Sequence, residues 1–143
     1  MLSEVYQDDN RSNNTAIDFF YYHSRSIPNV KNSNILIGLS RYPHITHNES
    51  TYLPSLEVTS LADIPEGMLG DVIPTHKYAI FKYTGLHAPS QITINTLSDI
   101  YSHILEWLSV SSYTLADNFH FESIDNKIAT NNYCEAEIYI PIK

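Results

Sequence analysis

Apolar and polar positions recur along this chain with two different periods. From 135 to 142 the run Glu-Ala-Glu-Ile-Tyr-Ile-Pro-Ile alternates. One face of a strand therefore carries Ala136, Ile138, Ile140 and Ile142, and the other Glu135, Glu137, Tyr139 and Pro141. Between 91 and 109 the period lengthens. Ile94, Leu97, Tyr101, Ile104, Leu105 and Leu108 recur at helical spacing and predict an amphipathic helix. Residues 35–40 and 52–60 are β-rich runs, and the polar stretch 42–50 between them reads as a hairpin loop. Residues 71–84 read as one long strand interrupted at Pro74 and ended by Gly85. Further strands are expected at 118–124 and 134–142. Asn14 or Thr15 caps an earlier helix that runs to about Ser26, with Ile17, Phe20 and Tyr21 on one face, before Pro28.

The predicted order is (β)αββ followed by βαββ. It suits an α+β fold in which two halves, about 1–68 and 69–143, share one antiparallel sheet, with the helices on one face. Only residues 2–6 are available for an opening strand, so that strand is expected to be short or missing. The sheet edge it would leave unpaired predicts dimerisation through the N-terminal edge, or coverage by the N-terminal tail.

Composition narrows the function. A chain of 143 residues with 43% hydrophobic positions builds a packed core as one domain. Sixteen acidic against eight basic residues give a net charge of −8, which argues against tracking a phosphate backbone and suits cationic partners. Cys134 is the lone cysteine, so no disulfide framework and no multi-thiolate metal site is expected, and it reads as a small buried apolar residue. The N-terminus lacks a signal-peptide pattern and no apolar run approaches membrane-spanning length, so a cytoplasmic protein is expected. Eleven tyrosines suit a binding pocket as well as a core. Neither a nucleophile elbow nor a phosphate-cradling glycine loop is present. His44, His47 and Glu49 have metal-ligand residue types but fall in the expected hairpin loop, and His76 and His87 read as surface histidines.

Five segments in series then carry a resemblance. These are Val58-Thr59-Ser60-Leu61-Ala62-Asp63-Ile64-Pro65-Glu66-Gly67, the run from Ile73-Pro74 through Lys77-Tyr78-Ala79-Ile80-Phe81 to Gly85, Ile100-Tyr101 with Glu106-Trp107-Leu108, Tyr113-Thr114-Leu115-Ala116-Asp117 with Phe119-His120-Phe121-Glu122, and Glu137-Ile138-Tyr139-Ile140-Pro141. In this order and spacing the chain, from about Arg11 to Lys143, resembles the GyrI-like, AraC-type effector-binding domains of bacterial transcription regulators. Ser109 and Ser112 depart from the Pro and Gly usual there. The resemblance implies a domain binding small cationic or amphipathic molecules in a groove between its halves. In larger relatives it is fused to a helix-turn-helix module. This length leaves no room for one, so a freestanding domain without direct nucleic-acid or membrane binding, and without a cofactor, is expected.

Glu137 and Tyr139 lie on the strand face left for the groove. A carboxylate beside aromatic rings suits a cation, each ring adding roughly 0.5–2 kcal/mol. If Glu137 is buried, its pKa should rise or a tyrosine hydroxyl should satisfy it. Trp107 is a pocket candidate through the resemblance, although its spacing from Ile104 equally suits a core anchor. Tyr21, Tyr22, Tyr52, Phe119 and Phe121 are further ligand candidates, about half of them expected in the core. Tyr78 and Phe81 have opposite parity, so at most one faces the groove. Binding without turnover is the leading expectation. The alternatives are a hydrolase using a pocket glutamate with a tyrosine partner, and a protein-interaction module of gyrase-inhibitor type.

Overall fold

The computed structural model describes residues 3–8, 27–32, 34–42, 51–66 and 68–143. The expected first helix, with Tyr21 and Tyr22, lies outside the described residues, as do His44, His47 and Glu49. Seven strands are described: β1 (Ser3–Asp8), β2 (Ile35–Arg41), β3 (Thr51–Val58), β4 (Met68–Ile73), β5 (Lys77–Gly85), β6 (Phe119–Asp125) and β7 (Cys134–Ile142). They form one sheet in the order β4-β1-β3-β2-β6-β7-β5, and every described pairing is antiparallel. With α1 (Ile94–Val110) packed on one face, the fold is α+β.

The short first strand is present and is not an edge. β1 pairs with β3 on one side and with β4 on the other, so among the described strands β1 does not leave the expected unpaired edge. The edge positions belong to β4 and β5. Reading 71–84 as one interrupted strand concealed this arrangement, because the break at Pro74 separates two strands that join opposite ends of the sheet.

That separation fixes the sheet's shape. Six interstrand spacings in a flat sheet would set β4 and β5 about 29 Å apart. Residues 74–76 reach from Ile73 to Lys77 in four Cα steps, about 15 Å at most. The sheet therefore curls, bringing its two edges to within about 15 Å of each other at this link. Polar contacts hold the closed end. Arg41 donates through Nη2 and Nε to Asp71 Oδ2 at 2.7 and 3.1 Å, His76 Nε2 lies 2.9 Å from Asp117 Oδ2, and the Tyr78 hydroxyl donates to the Pro74 carbonyl at 2.6 Å. Burial alone would raise the Asp117 pKa. Hydrogen bonds from the Asn118 N–H and His76, with the charges of His76 and Arg41, instead hold it below its ordinary value.

Each face has its own core. Ile104 of α1 is buried against Ile124, Ala136, Ile138, Ile140 and Ile142, with Leu97, Ile100, Tyr101 and Leu108 alongside. Thr93 caps the helix, accepting from the Thr96 N–H at 3.2 Å while the Thr96 hydroxyl accepts from the Thr93 N–H at 3.3 Å. Leu105, counted in the apolar stripe from spacing, is exposed. Inside the curl, Ile37, Leu39, Ile73, Phe119 and Phe121 form a second cluster.

Candidate functional site

Strand alternation assigns the acidic residues to two faces. Inside the curl, beyond the second cluster, lies a cavity of about 350 Å³ lined by Glu57, Asp125, Glu135 and Glu137, by Phe121 and Tyr139, and by Ile35, Ile37 and Ile73. The Phe121 and Tyr139 rings stack at 4.6 Å and 6°. The structure thus places Glu137 and Tyr139 on the groove face and brings them together, the Tyr139 hydroxyl donating to Glu137 Oε2 at 3.0 Å. Burial, with the hydrogen bond to Glu137, pushes the Tyr139 pKa up to about 12. Glu137 itself is exposed, so the burial considered for it is absent and the hydroxyl contact is what remains. Two other carboxylates of this cavity are paired: Glu57 with Lys31 at 3.1 Å and Glu135 with Lys82 at 3.2 Å. Tyr133 donates to Glu135 at 2.5 Å. That bond, with Lys82, holds the Glu135 pKa below its ordinary value.

On the helix face the arrangement differs. Glu122, on β6, is 2% exposed. It pairs in register with Gly38 of β2 and Ile138 of β7. A Cβ at position 38 would overlap Glu122 Oε1 and the Tyr52 hydroxyl, so only glycine leaves room for both over the β2 backbone. Tyr52 reaches in from β3 and donates to Glu122 Oε1. Burial pushes the Glu122 pKa up to about 7, although the Tyr52 hydrogen bond acts in the opposite sense. Among the described residues no Lys, Arg or His pairs with it.

An aromatic group flanks this carboxyl. His120, two residues earlier on the same face, stacks on Tyr101 of α1 at 4.4 Å and 11° and is hydrogen-bonded to Tyr42. Tyr42 and Tyr101 are 6.1 Å apart. Burial drives the His120 pKa down to about 4, so the imidazole is neutral and adds no positive charge beside Glu122. Burial also raises the Tyr101 hydroxyl.

The remaining sequence candidates are dispersed. Tyr52 belongs to Glu122 rather than to the groove. Phe119 is 0% exposed and sits at the closed end of the curl beside Tyr78, His76 and Arg41. Trp107 packs edge-on against Phe81 at 5.1 Å and parallel to Tyr113 at 6.1 Å on the helix face. It is a packing residue there and is not brought to Glu137, because the sheet stands between them. Tyr78 faces the curl and Phe81 the helix, as their opposite parity requires. Cys134 is buried, and burial raises its thiol pKa.

Sequence reasoning quoted Glu122 within a motif but did not select it. The available signal was its parity with Ile124, since β6 must present that face to the helix that buries Ile138 and Ile140. Among the described residues no cluster of three or more His, Cys, Asp or Glu suits a metal ion, and no helix is long and apolar enough to cross a membrane.

The antiparallel sheet is curled and helix-covered on one side, where it buries the Glu122 carboxyl against the Tyr52 hydroxyl. Residues 2–142 match the Cass2 family, described as integron-associated effector binding protein, and the chain belongs to that family. Among curated proteins there is no significant match. Of solved structures, a chain in the cryo-EM structure of the EcmrR–DNA complex in EcmrR-RPo is similar, with a TM-score of 0.67 and 14% identity over 99% of this chain. This protein spans 54% of that chain, and the likeness is one of fold.

Proposed function

We propose that this protein binds hydrophobic cationic small molecules without chemically altering them, for effector sensing or sequestration, with Glu122 as the charged anchor. The observation that carries the reading is a carboxyl 2% exposed whose contact among the described side chains is the Tyr52 hydroxyl. A buried carboxylate is strongly destabilising without a counter-charge, and an incoming cation supplies one. Tyr52, Tyr42, Tyr101 and His120 add aromatic faces suited to a flat or substituted aromatic cation. Membership of an effector-binding family supports small-molecule binding in general. The net charge of −8 favours cations and disfavours direct binding of nucleic acid.

The groove-face cavity is the weaker anchor, because its carboxylates keep access to water and two of them already hold lysines. A hydrolase reading would need a second positioned acid–base group near Glu122. His120 is the nearest candidate by register, yet it is engaged with Tyr42 and Tyr101 and titrates near pH 4.

The test is calorimetric titration of the protein, Glu122→Gln and Glu137→Gln with an aromatic cation and an uncharged molecule of the same shape. The ligand is then recovered and its mass measured. Cation binding lost in Glu122→Gln, kept in Glu137→Gln, and leaving the ligand intact is the expected result. Retention of affinity in Glu122→Gln, or a changed ligand mass, would refute the reading.

A further inference from the structure

Among the described residues, Glu122 has the surroundings of a carboxylic acid rather than of a carboxylate. From β3 the Tyr52 hydroxyl donates to it. From β2 it meets the bare backbone of Gly38, with Ser40 one pair along. β7 offers the aliphatic Ile138. On its own strand His120 is held neutral, stacked on Tyr101 of α1 and bonded to Tyr42. None of these groups is positively charged near neutrality. One hydroxyl and the Glu122 backbone N–H do not replace the hydration that an ionised carboxylate loses on burial, so retention of the proton is favoured. The pKa pushed up to about 7 agrees with this.

We infer that Glu122 takes up its cation by proton exchange: the free protein holds the carboxyl protonated, and the entering cation displaces that proton to solvent. The inference rests on Glu122 being the ligand's anchor. The carboxyl O–H bond breaks, its electron pair stays on the oxygen, and the proton passes to a buffer base. The charge enclosed in the site is the same before and after, so neither state carries an unbalanced ion. A neutral molecule of the same shape displaces no proton. Discrimination in favour of cations therefore grows with pH while the carboxyl is protonated, by up to about tenfold per pH unit, and levels off once it is ionised.

The experiment is calorimetric titration of the whole chain with N-benzylquinolinium, whose charge does not titrate, beside uncharged 1-benzylnaphthalene. Each titration is run in two buffers whose different ionisation heats reveal protons transferred, phosphate and bis-tris at the lower pH and borate and Tris at the higher. Near pH 6 close to one proton should leave per cation bound, and near pH 8.5 close to none, with affinity about tenfold or more tighter at the higher pH. The neutral ligand should release none at either pH. Glu122→Gln should abolish both proton release and pH dependence. Tyr52→Phe, which keeps the carboxyl and removes its donor, should move the midpoint of the pH dependence upward, because that bond now lowers the pKa.

Cation binding that is equally tight at both pH values without proton release, yet weakened by Glu122→Gln, overturns the exchange and leaves the anchor standing. Cation binding indifferent to Glu122→Gln, or absent at both pH values, overturns the anchor and the exchange together.

Discussion

The two faces of this sheet hold acidic side chains under opposite conditions. Inside the curl, four carboxylates line one cavity, but Glu137 is exposed and Glu57 and Glu135 hold Lys31 and Lys82. Such solvent-accessible pairs contribute little, because water and salt already screen them. On the helix face a single carboxyl, Glu122, has lost its water and has no cationic partner among the described residues. The contrast teaches that a count of carboxylates measures a site's sign, whereas the hydration a carboxylate has surrendered measures its demand for a cation.

Exchanging one carboxyl on each face gives the widest contrast. Glu122→Gln is expected to weaken binding of an aromatic cation by about 100-fold or more, the loss typical of a desolvated charge contact. Glu137→Gln should change it by less than about threefold. Titration calorimetry reads both, and equal losses would erase the distinction between the faces.

Ligand-free stability should respond in the opposite direction. The folded Glu122 pKa, about 7, lies above the ordinary value of 4.5. Between those values the native chain binds more protons than the unfolded one, so this group lowers stability as pH rises. The loss, about 3 kcal/mol, is complete above the folded pKa and absent below the unfolded one. Urea denaturation should therefore find Glu122→Gln more stable than the parent near pH 8 and similar to it near pH 4.

Gly38→Ala tests the geometry beneath the carboxyl. The added methyl overlaps Glu122 and Tyr52. A loss of about 1–3 kcal/mol in stability is expected, together with weaker cation binding.

His120 supplies an effect of opposite sign and comparable size. Its folded pKa, about 4, lies below 6.5, so the unfolded chain takes up the proton first and stability is lost as pH falls through this window. Between pH 6.5 and 4.5 the parent should consequently change less than either Glu122→Gln, which falls, or His120→Gln, which rises. Glu137→Gln should shift the ligand-free denaturation free energy by no more than about 0.5 kcal/mol.

Much of the frame was legible in the sequence because its signals are local. Alternation from 135 to 142 placed Glu137 and Tyr139 on one face and the isoleucines under the helix, and three- and four-residue spacing located α1. Long-range pairing was not legible. Pro74 reads as an interruption of one strand, and nothing near it reveals that β4 joins β1 while β5 joins β7. Glu122 was missed for a related reason. On β6 it follows Phe121 and is followed by Ser123 and Ile124, so both faces read as partly apolar. Its burial depends on Gly38 from a distant strand leaving the space. Trp107, chosen through the motif, lies on the helix face against Phe81 and Tyr113 rather than beside Glu137.

The pairing of β2 with β6 has a kinetic consequence. Four strands lie on one side of that ladder and three on the other, and among the described strands it is the one that joins the two sets. Gly38 and Glu122 meet in it, although about 80 residues of chain separate them. Closing so long a loop precedes any reward from the contacts it brings, which makes such a pairing a slow event in folding. The carboxyl, its glycine and its tyrosine are thus assembled only when the two sets of strands dock, and an incompletely folded chain lacks that arrangement.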